Sequence, residues 1–299
     1  MEKATDSTGL TFRQDYFADD KAWSALVSLL SDTFGIDLDP LRRLGGADPT
    51  SMPFGWFDGS GLLVANISAF AMPVVINGRR INAAGLQSGA VRPPWRGRGL
   101  YRDLTRKALD WCEAQGFEAI VLYTDKPALY TPYGFRALPM HLHAGLAPGP
   151  AMAAMPARTL NPWKPEDLAL LLRALASRTP VSDALAVCGS SAMFLINTQF
   201  DPDVRLSWLE DRQAVIAWKV GDNNTFVLSD IIAETIPPLD AILGGLGIAP
   251  LAVEVLFSPD KLGWQGEARP IDGGTQFMIR AGADISLDRP AMLSPMADF

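Results

Sequence analysis

Residues 91–102 read Val-Arg-Pro-Pro-Trp-Arg-Gly-Arg-Gly-Leu-Tyr-Arg, and a run of this kind could hold an anion. Pro93 and Pro94 interrupt whatever precedes them, and Gly97 and Gly99 carry no side chain to keep a ligand off the main chain. A helical pattern begins at Gly99. The first-turn amides of a helix lack intrahelical partners, and the helix dipole adds positive potential at the same point. Arg96, Arg98 and Arg102 concentrate further positive charge there. A pyrophosphate suits such a mouth. Neither the GxGxxG spacing of a dinucleotide loop nor the Gly-Lys-Ser/Thr of a Walker loop is present. On its own the run leaves a basic surface turn as an alternative.

A second pattern lies downstream, Tyr130-Thr-Pro-Tyr133-Gly134-Phe135. Two histidines, His141 and His143, alternate on an expected strand and so share a face. No third ligand accompanies them, so they read as ordinary strand residues and no metal is expected. The two cysteines, Cys112 and Cys188, have no metal-type spacing and read as free thiols.

These residues need elements to position them. Leu10–Phe17 reads as a strand and Ala22–Thr33 as a helix closed by Gly35. Pro40–Leu44 adds a short helix. The stretches Phe54–Phe57, Leu62–Ile76 and Arg80–Arg92 form three antiparallel strands, turning at Asp58-Gly59 and Asn77-Gly78. Gly99–Gln115 is a helix with Leu100, Leu104, Ala108 and Trp111 on one face, capped by Gly116. The apolar run Ala119–Thr124 is a strand covered on both faces. Ala128–Tyr133 is a short helix and Phe135–Leu146 a strand. An antiparallel meander thus feeds a strand–helix–strand crossover.

Residues 148–158 read as a linker rich in Pro, Ala and Gly. Beyond it, Pro165–Ser177 is a helix. Ala192–Gln199, Val204–Glu210, Val215–Val220 and Thr225–Ala233 read as strands, Pro238–Leu246 as a helix, and Ala252–Phe257 as a strand. The order of the first half repeats. The expected fold class is α+β with mixed sheets, organised as residues 1–147, the linker, and residues 159–299 as a degenerate copy. The second copy offers no anion mouth: Glu234-Thr-Ile-Pro-Pro precedes its helix, without Arg or Gly, and Asp230 and Glu234 would repel a phosphate.

At 299 residues the chain has room for two domains of about 150 residues each. Its net charge of −7 disfavours a nucleic-acid partner, which needs a basic stripe. It mildly favours cationic small molecules. The polar N-terminus lacks the apolar core of a signal peptide, and no apolar run reaches the ~18 residues of a membrane span. A cytoplasmic protein without a membrane partner is expected. Oligomeric state stays open.

The Arg/Gly run and the Tyr-x-x-x-Gly-Phe run together resemble the signature of the GNAT acetyltransferases. The run from Val91 to Phe135 is most similar to the Enhanced Intracellular Survival (Eis-type) branch, whose second domain is likewise a degenerate GNAT domain. The resemblance implies the GNAT acyl-CoA N-acyltransferase fold in tandem, with acetyl-CoA as co-substrate. It implies transfer of acetyl to the amine of a small molecule or peptide. It places the backbone of Gly89, Ala90 and Val91 on the pantetheine and thioester carbonyl. Gly97, Arg98, Gly99, Leu100, Tyr101 and Arg102 would hold the pyrophosphate, and Asp125 and Lys126 would line the CoA side. Tyr130 would be the general acid: a phenol of reference pKa ~10 is protonated at neutral pH and close to a thiol in acidity. Tyr101 stands where most GNAT sequences have a small residue.

The base is open. Many GNAT enzymes carry a Glu on the strand before the loop, but Gly85–Ala90 contains no carboxylate. In the Eis-type branch the C-terminal carboxylate serves, on a terminal Phe. The resemblance would give that role to Phe299, although the branch has a third domain that this sequence lacks. The missing strand carboxylate leaves an alternative: a CoA-binding sensor or scaffold without catalysis.

Overall fold

Two seven-stranded sheets carry the molecule. The computed structural model describes residues 9–299 except 154, 190, 272 and 273. The first half contains β1 (Thr11–Gln14), α1 (Asp20–Phe34), α2 (Asp39–Arg43), β2 (Met52–Phe57), β3 (Leu63–Ala71), β4 (Val74–Ile76), β5 (Arg79–Ile81) and β6 (Ala83–Val91). Then come α3 (Leu100–Ala114), β7 (Ala119–Thr124), β8 (Arg136–Ala137) and β9 (His141–Leu146). The second half contains β10 (Arg158–Leu160), α4 (Pro165–Ser177), β11 (Leu185–Val187), α5 (Ser191–Phe200), β12 (Arg205–Leu209), β13 (Ala214–Val220) and β14 (Phe226–Ile232). It ends with α6 (Leu239–Leu246), β15 (Ala252–Val255), β16 (Glu267–Pro270) and β17 (Gln276–Ala281).

The first sheet is ordered β1-β2-β3-β6-β7-β17-β8 and the second β10-β12-β13-β14-β15-β9-β16. In each, one parallel pair (β6 with β7, β14 with β15) sits among antiparallel neighbours. The strand antiparallel to β7 is β17, from the end of the chain, and the strand antiparallel to β15 is β9, from the first half. Sheet membership therefore crosses the expected 148–158 linker in both directions. β4 and β5 project as a hairpin whose edge pairs with β11. This third sheet also joins the halves.

The helices cover the first sheet from both sides. Asp19 caps α1, accepting from the N–H groups of Lys21 (3.0 Å) and Ala22 (3.2 Å), and Gly35 closes the helix in the left-handed region. Trp23, Leu26 and Leu30 of α1 pack with Phe70 and Val121 on one face. Leu104, Ala108 and Cys112 of α3 pack with Ala84, Leu86 and Ile120 on the other. Each fully buried Leu contributes about 1.5–3 kcal/mol of transfer free energy, so the sheet is clamped firmly between them.

Five expected elements are corrected. The strands expected over Leu62–Ile76 and Arg80–Arg92 are each two, β3 with β4 and β5 with β6, because the β4–β5 hairpin leaves the first sheet. The segment Ala192–Gln199 belongs to a helix, α5, not a strand. Its residues from Ala192 to Asn197 are all buried, and an apolar run buried on every side carries neither the period of a strand nor that of a helix. The single strand expected over Phe135–Leu146 is two strands in different sheets, β8 and β9. The short helix expected over Ala128–Tyr133 is two 3₁₀ turns, Pro127–Leu129 and Thr131–Tyr133, separated at Tyr130.

Candidate active site

β6 and β7 pair only over Ala83–Gly85 and Ala119–Val121. β6 then runs on to Val91, and β7 to Thr124, without pairing to each other. The two strands splay. A bulge in β6 drives the separation. The register against β3 shifts between Asn66 and Ser68, and Ser88 takes a positive φ of 58°. The Asn66 side-chain amide donates to the Ser88 carbonyl (2.8 Å), and the Tyr16 hydroxyl donates to Asn66 Oδ1. These buried groups pin the bulge.

Past the bulge the Arg92 N–H bonds back to Val64 on β3 (2.9 Å). By alternation, Val91 and Gly89 turn their N–H and C=O groups the other way, into the splay. The Val91 carbonyl accepts from Arg96 Nε (3.1 Å).

The chain next enters α3. Gly99 occupies the N-cap at φ 79°, a conformation L side chains rarely adopt, and no side chain caps the helix. Its first-turn amides are free for a ligand. A side chain at Gly97 would meet nothing within 4 Å, so the approach is open. Arg96, Arg98 and Arg102 are exposed, and among the described residues none has a carboxylate partner. Arg98 lies over the Trp95 ring (4.6 Å) and donates to the Pro94 carbonyl (3.1 Å), which holds its guanidinium at the loop. Arg92, by contrast, is engaged by Asp32, Ser28 and the Leu63 carbonyl, so it braces α1. Asp103, the one acid in the first turn, is held by Trp56 Nε1 (3.0 Å) and Lys107 (3.5 Å). Free amides and clustered positive charge give this mouth the chemistry to take an anion.

Tyr130 lies on the α3 side of the sheet, 8% exposed. Its hydroxyl bonds to the Tyr101 hydroxyl, and the rings meet edge to face (82°, centroids 6.3 Å). Burial raises the Tyr130 pKa; the Tyr101 hydrogen bond opposes that, and Asp125 adds to it. The Tyr101 side chain thus turns away from the anion mouth, and only its main chain belongs there. Asp125 and Lys126 are exposed, paired to each other at 3.5 Å on the rim. Tyr133 packs against the same cluster as Tyr130.

Phe299 lies on the opposite face of the sheet. Its ring packs edge-on against Phe70 (5.5 Å) and Tyr123 (5.6 Å), and against Gly85, at the last β6–β7 pair. The neighbouring Asp298 is fixed by its carbonyl, which accepts from Asn197 Nδ2 (2.8 Å). Asp298 itself is exposed, but the protein atoms crowded around it desolvate its carboxyl. That desolvation raises its pKa, and the Phe299 N–H opposes the rise. Sequence reasoning fixed on Phe299 and passed over Asp298. An acid one residue from an apolar anchor was the available signal.

The structure therefore gathers Gly89, Val91, Tyr101 and Tyr130 on one side of the splay and Phe299 on the other, with residues 97–102 at its mouth. Residues 17–138 match the acetyltransferase (GNAT) domain family. Those residues are a GNAT acetyltransferase domain. Its matched stretch cannot close its own sheet, because β17 stands between β7 and β8.

The fold of the wider chain agrees. It is similar to Eis1 from Mycobacterium abscessus (16% identity, TM-score 0.58, covering 91% of this chain and 72% of that one). It is also similar to a GCN5-related N-acetyltransferase from Kribbella flavida (17%, 0.55, 90% and 72%). A probable N-acyltransferase from Enterococcus faecalis gives 12% identity and a TM-score of 0.60, covering 91% and 72%. A search of curated proteins found no match.

Other reactive groups fall outside the GNAT site. Burial pushes the Cys112 thiol up to about 12, which makes it inert as a nucleophile. His141 and His143 lie on β9 in the second sheet, and no group of three metal-ligating side chains occurs among the described residues.

Proposed function

We propose that the chain transfers acetyl from acetyl-CoA directly to a primary amine of a small molecule or peptide. The carrying observation is the uncapped mouth of α3, with three guanidiniums that have no carboxylate partner among the described residues, opening onto the β6–β7 splay. Gly97 to Arg102 grip the pyrophosphate, and the backbone of Gly89, Ala90 and Val91 receives the pantetheine. Asp125 and Lys126 line the CoA side. When bound, acetyl-CoA supplies an acyl carbon activated as a thioester.

The N–H groups turned into the splay stabilise negative charge on the acyl oxygen, about 3 kcal/mol for one such donor. Tyr130 gives its proton to the sulfur as the C–S bond breaks and the C–N bond forms. Before attack the ammonium gives one proton to Asp298, which the Phe299 ring anchors on the acceptor side; the second proton, shed from nitrogen as the amide forms, restores the Tyr130 phenol, and Asp298 releases its own to solvent. A carboxyl with a raised pKa is a stronger base than a solvated one.

Tyr130→Phe tests this reading. Turnover should fall about 100-fold or more, with CoA affinity unchanged. Full activity in that variant would remove the acid assignment. Release of free CoA in the presence of polyamines, aminoglycosides and peptides identifies the acceptor. If the protein binds CoA and no amine releases it, the chain is a CoA-binding sensor and not an enzyme.

A further inference from the structure

The Tyr101 hydroxyl stands at the splay with no part in the scheme above. Tyr101 is the second residue of α3, half-buried, and its side chain folds inward under the helix. A Cβ built at Gly89 would fall 2.2 Å from the Tyr101 hydroxyl oxygen and 3.1 Å from the adjacent ring carbon. Glycine at 89 is therefore what lets this ring reach β6 at all. The hydroxyl ends beside Gly89, beyond the last β6–β7 pair at Gly85, and there it meets the hydroxyl of Tyr130.

Two phenols in contact share one hydrogen bond, and only one of them donates. Tyr101 has no other hydrogen-bond partner for its hydroxyl among the described residues, and its oxygen otherwise faces the bare Gly89 main chain. If Tyr130 donated, its proton would point at Tyr101 and be lost to the reaction. If Tyr101 donates, the Tyr130 proton is free. The second arrangement also gains as the reaction proceeds. When Tyr130 gives up its proton, the bond from Tyr101 becomes a bond to an anion, roughly twice as strong as a neutral one.

Resting on the assignment of Tyr130 as general acid, we propose that Tyr101 is its positioning residue: the Tyr101 hydroxyl donates to the Tyr130 oxygen, aims the Tyr130 proton into the splay and steadies the phenolate left behind. The charged and titratable groups facing Tyr130 are Tyr101 from α3, Asp125 after β7 and Tyr133 from the following turn. Asp125 and Tyr133 remain in a Tyr101→Phe protein, so that variant isolates the one bond.

The experiment is steady-state kinetics across pH on the full chain, with the amine that best releases CoA. Tyr101→Phe keeps the ring. It should lower kcat about tenfold, the low end for a hydrogen bond to a developing charge, with KM for acetyl-CoA and the thermal midpoint unchanged. An acid must be protonated to act, so activity fails above its pKa. Losing the Tyr101 donor raises that pKa, and the alkaline limb of kcat should move to higher pH. In a Tyr130→Phe background, Tyr101→Phe should cost nothing further. Wild-type kcat with an unmoved limb overturns the proposal, as does an equal loss in the Tyr130→Phe background. If Tyr130→Phe alone is fully active, the acid assignment falls and this proposal with it. If Tyr130→Phe is impaired while Tyr101→Phe is not, only the proposal falls.

Discussion

The mouth of α3 and the mouth of α6 begin from the same backbone and end with opposite properties. In each half a strand pairs in parallel with the crossover strand over three residue pairs, then runs on. Beyond Gly85, β6 leaves β7 unpaired and meets the Tyr101 phenol at Gly89. Beyond Leu228, the carbonyls of β14 are already taken: Ser229 accepts from Ser294 Oγ (2.9 Å) and Ile231 from Arg178 Nη2 (3.1 Å). Asp230 holds Arg178 at 2.7 Å, both side chains almost fully buried. The entry to α3 carries Arg96, Arg98 and Arg102, none with a carboxylate partner among the described residues, whereas the loop into α6 carries Glu234 and two prolines. The shared fold supplies a splay and a helix dipole. Whether these become a site is decided by what fills the splay and which charge stands at the mouth.

The largest effect that would test this comparison is on stability. Arg178→Met leaves Asp230 buried without its partner and should cost about 3–5 kcal/mol in urea unfolding. CoA affinity of the folded variant should stay at the wild-type value. A parallel loss of affinity would mean that the second splay is more than a plug. Next comes the α3 mouth. Gly99→Val forces a β-branched residue into a left-handed N-cap and should weaken CoA binding about 100-fold, near 2.7 kcal/mol. Unchanged binding would mean that the amides of this turn are not the grip.

Smaller again is the base. Asp298 must be ionised to accept a proton, and desolvation by the surrounding protein raises its pKa. The acidic limb of kcat/KM should therefore lie above the ordinary carboxylate range near pH ~4. Asp298→Asn should lower the rate about tenfold and erase that limb. A limb that survives the substitution would assign the proton to another group.

Much of the site was legible in the sequence because its chemistry is contiguous. Gly97, Gly99 and the arginines of the candidate site all stand at the start of a single helix, and local spacing reports such a feature. Tyr130 was legible because it follows the crossover strand in a fixed pattern. The pairing of Tyr101 with Tyr130 was not, since a side chain on the second residue of a helix can point to the mouth or under the sheet. Only Gly89, distant in sequence, makes room for the second choice. The exchange of β9 and β17 between sheets was hidden for a similar reason. Each is an ordinary apolar strand, and nothing local says which edge it joins. The misreading of α5 has another source: burial on every side erases the period that separates helix from strand.

Calorimetric titration of CoA into the full chain tests the central contrast most directly. One CoA per chain, with affinity lost in Gly99→Val, is the predicted result. Two per chain, or a single site indifferent to Gly99, would contradict it.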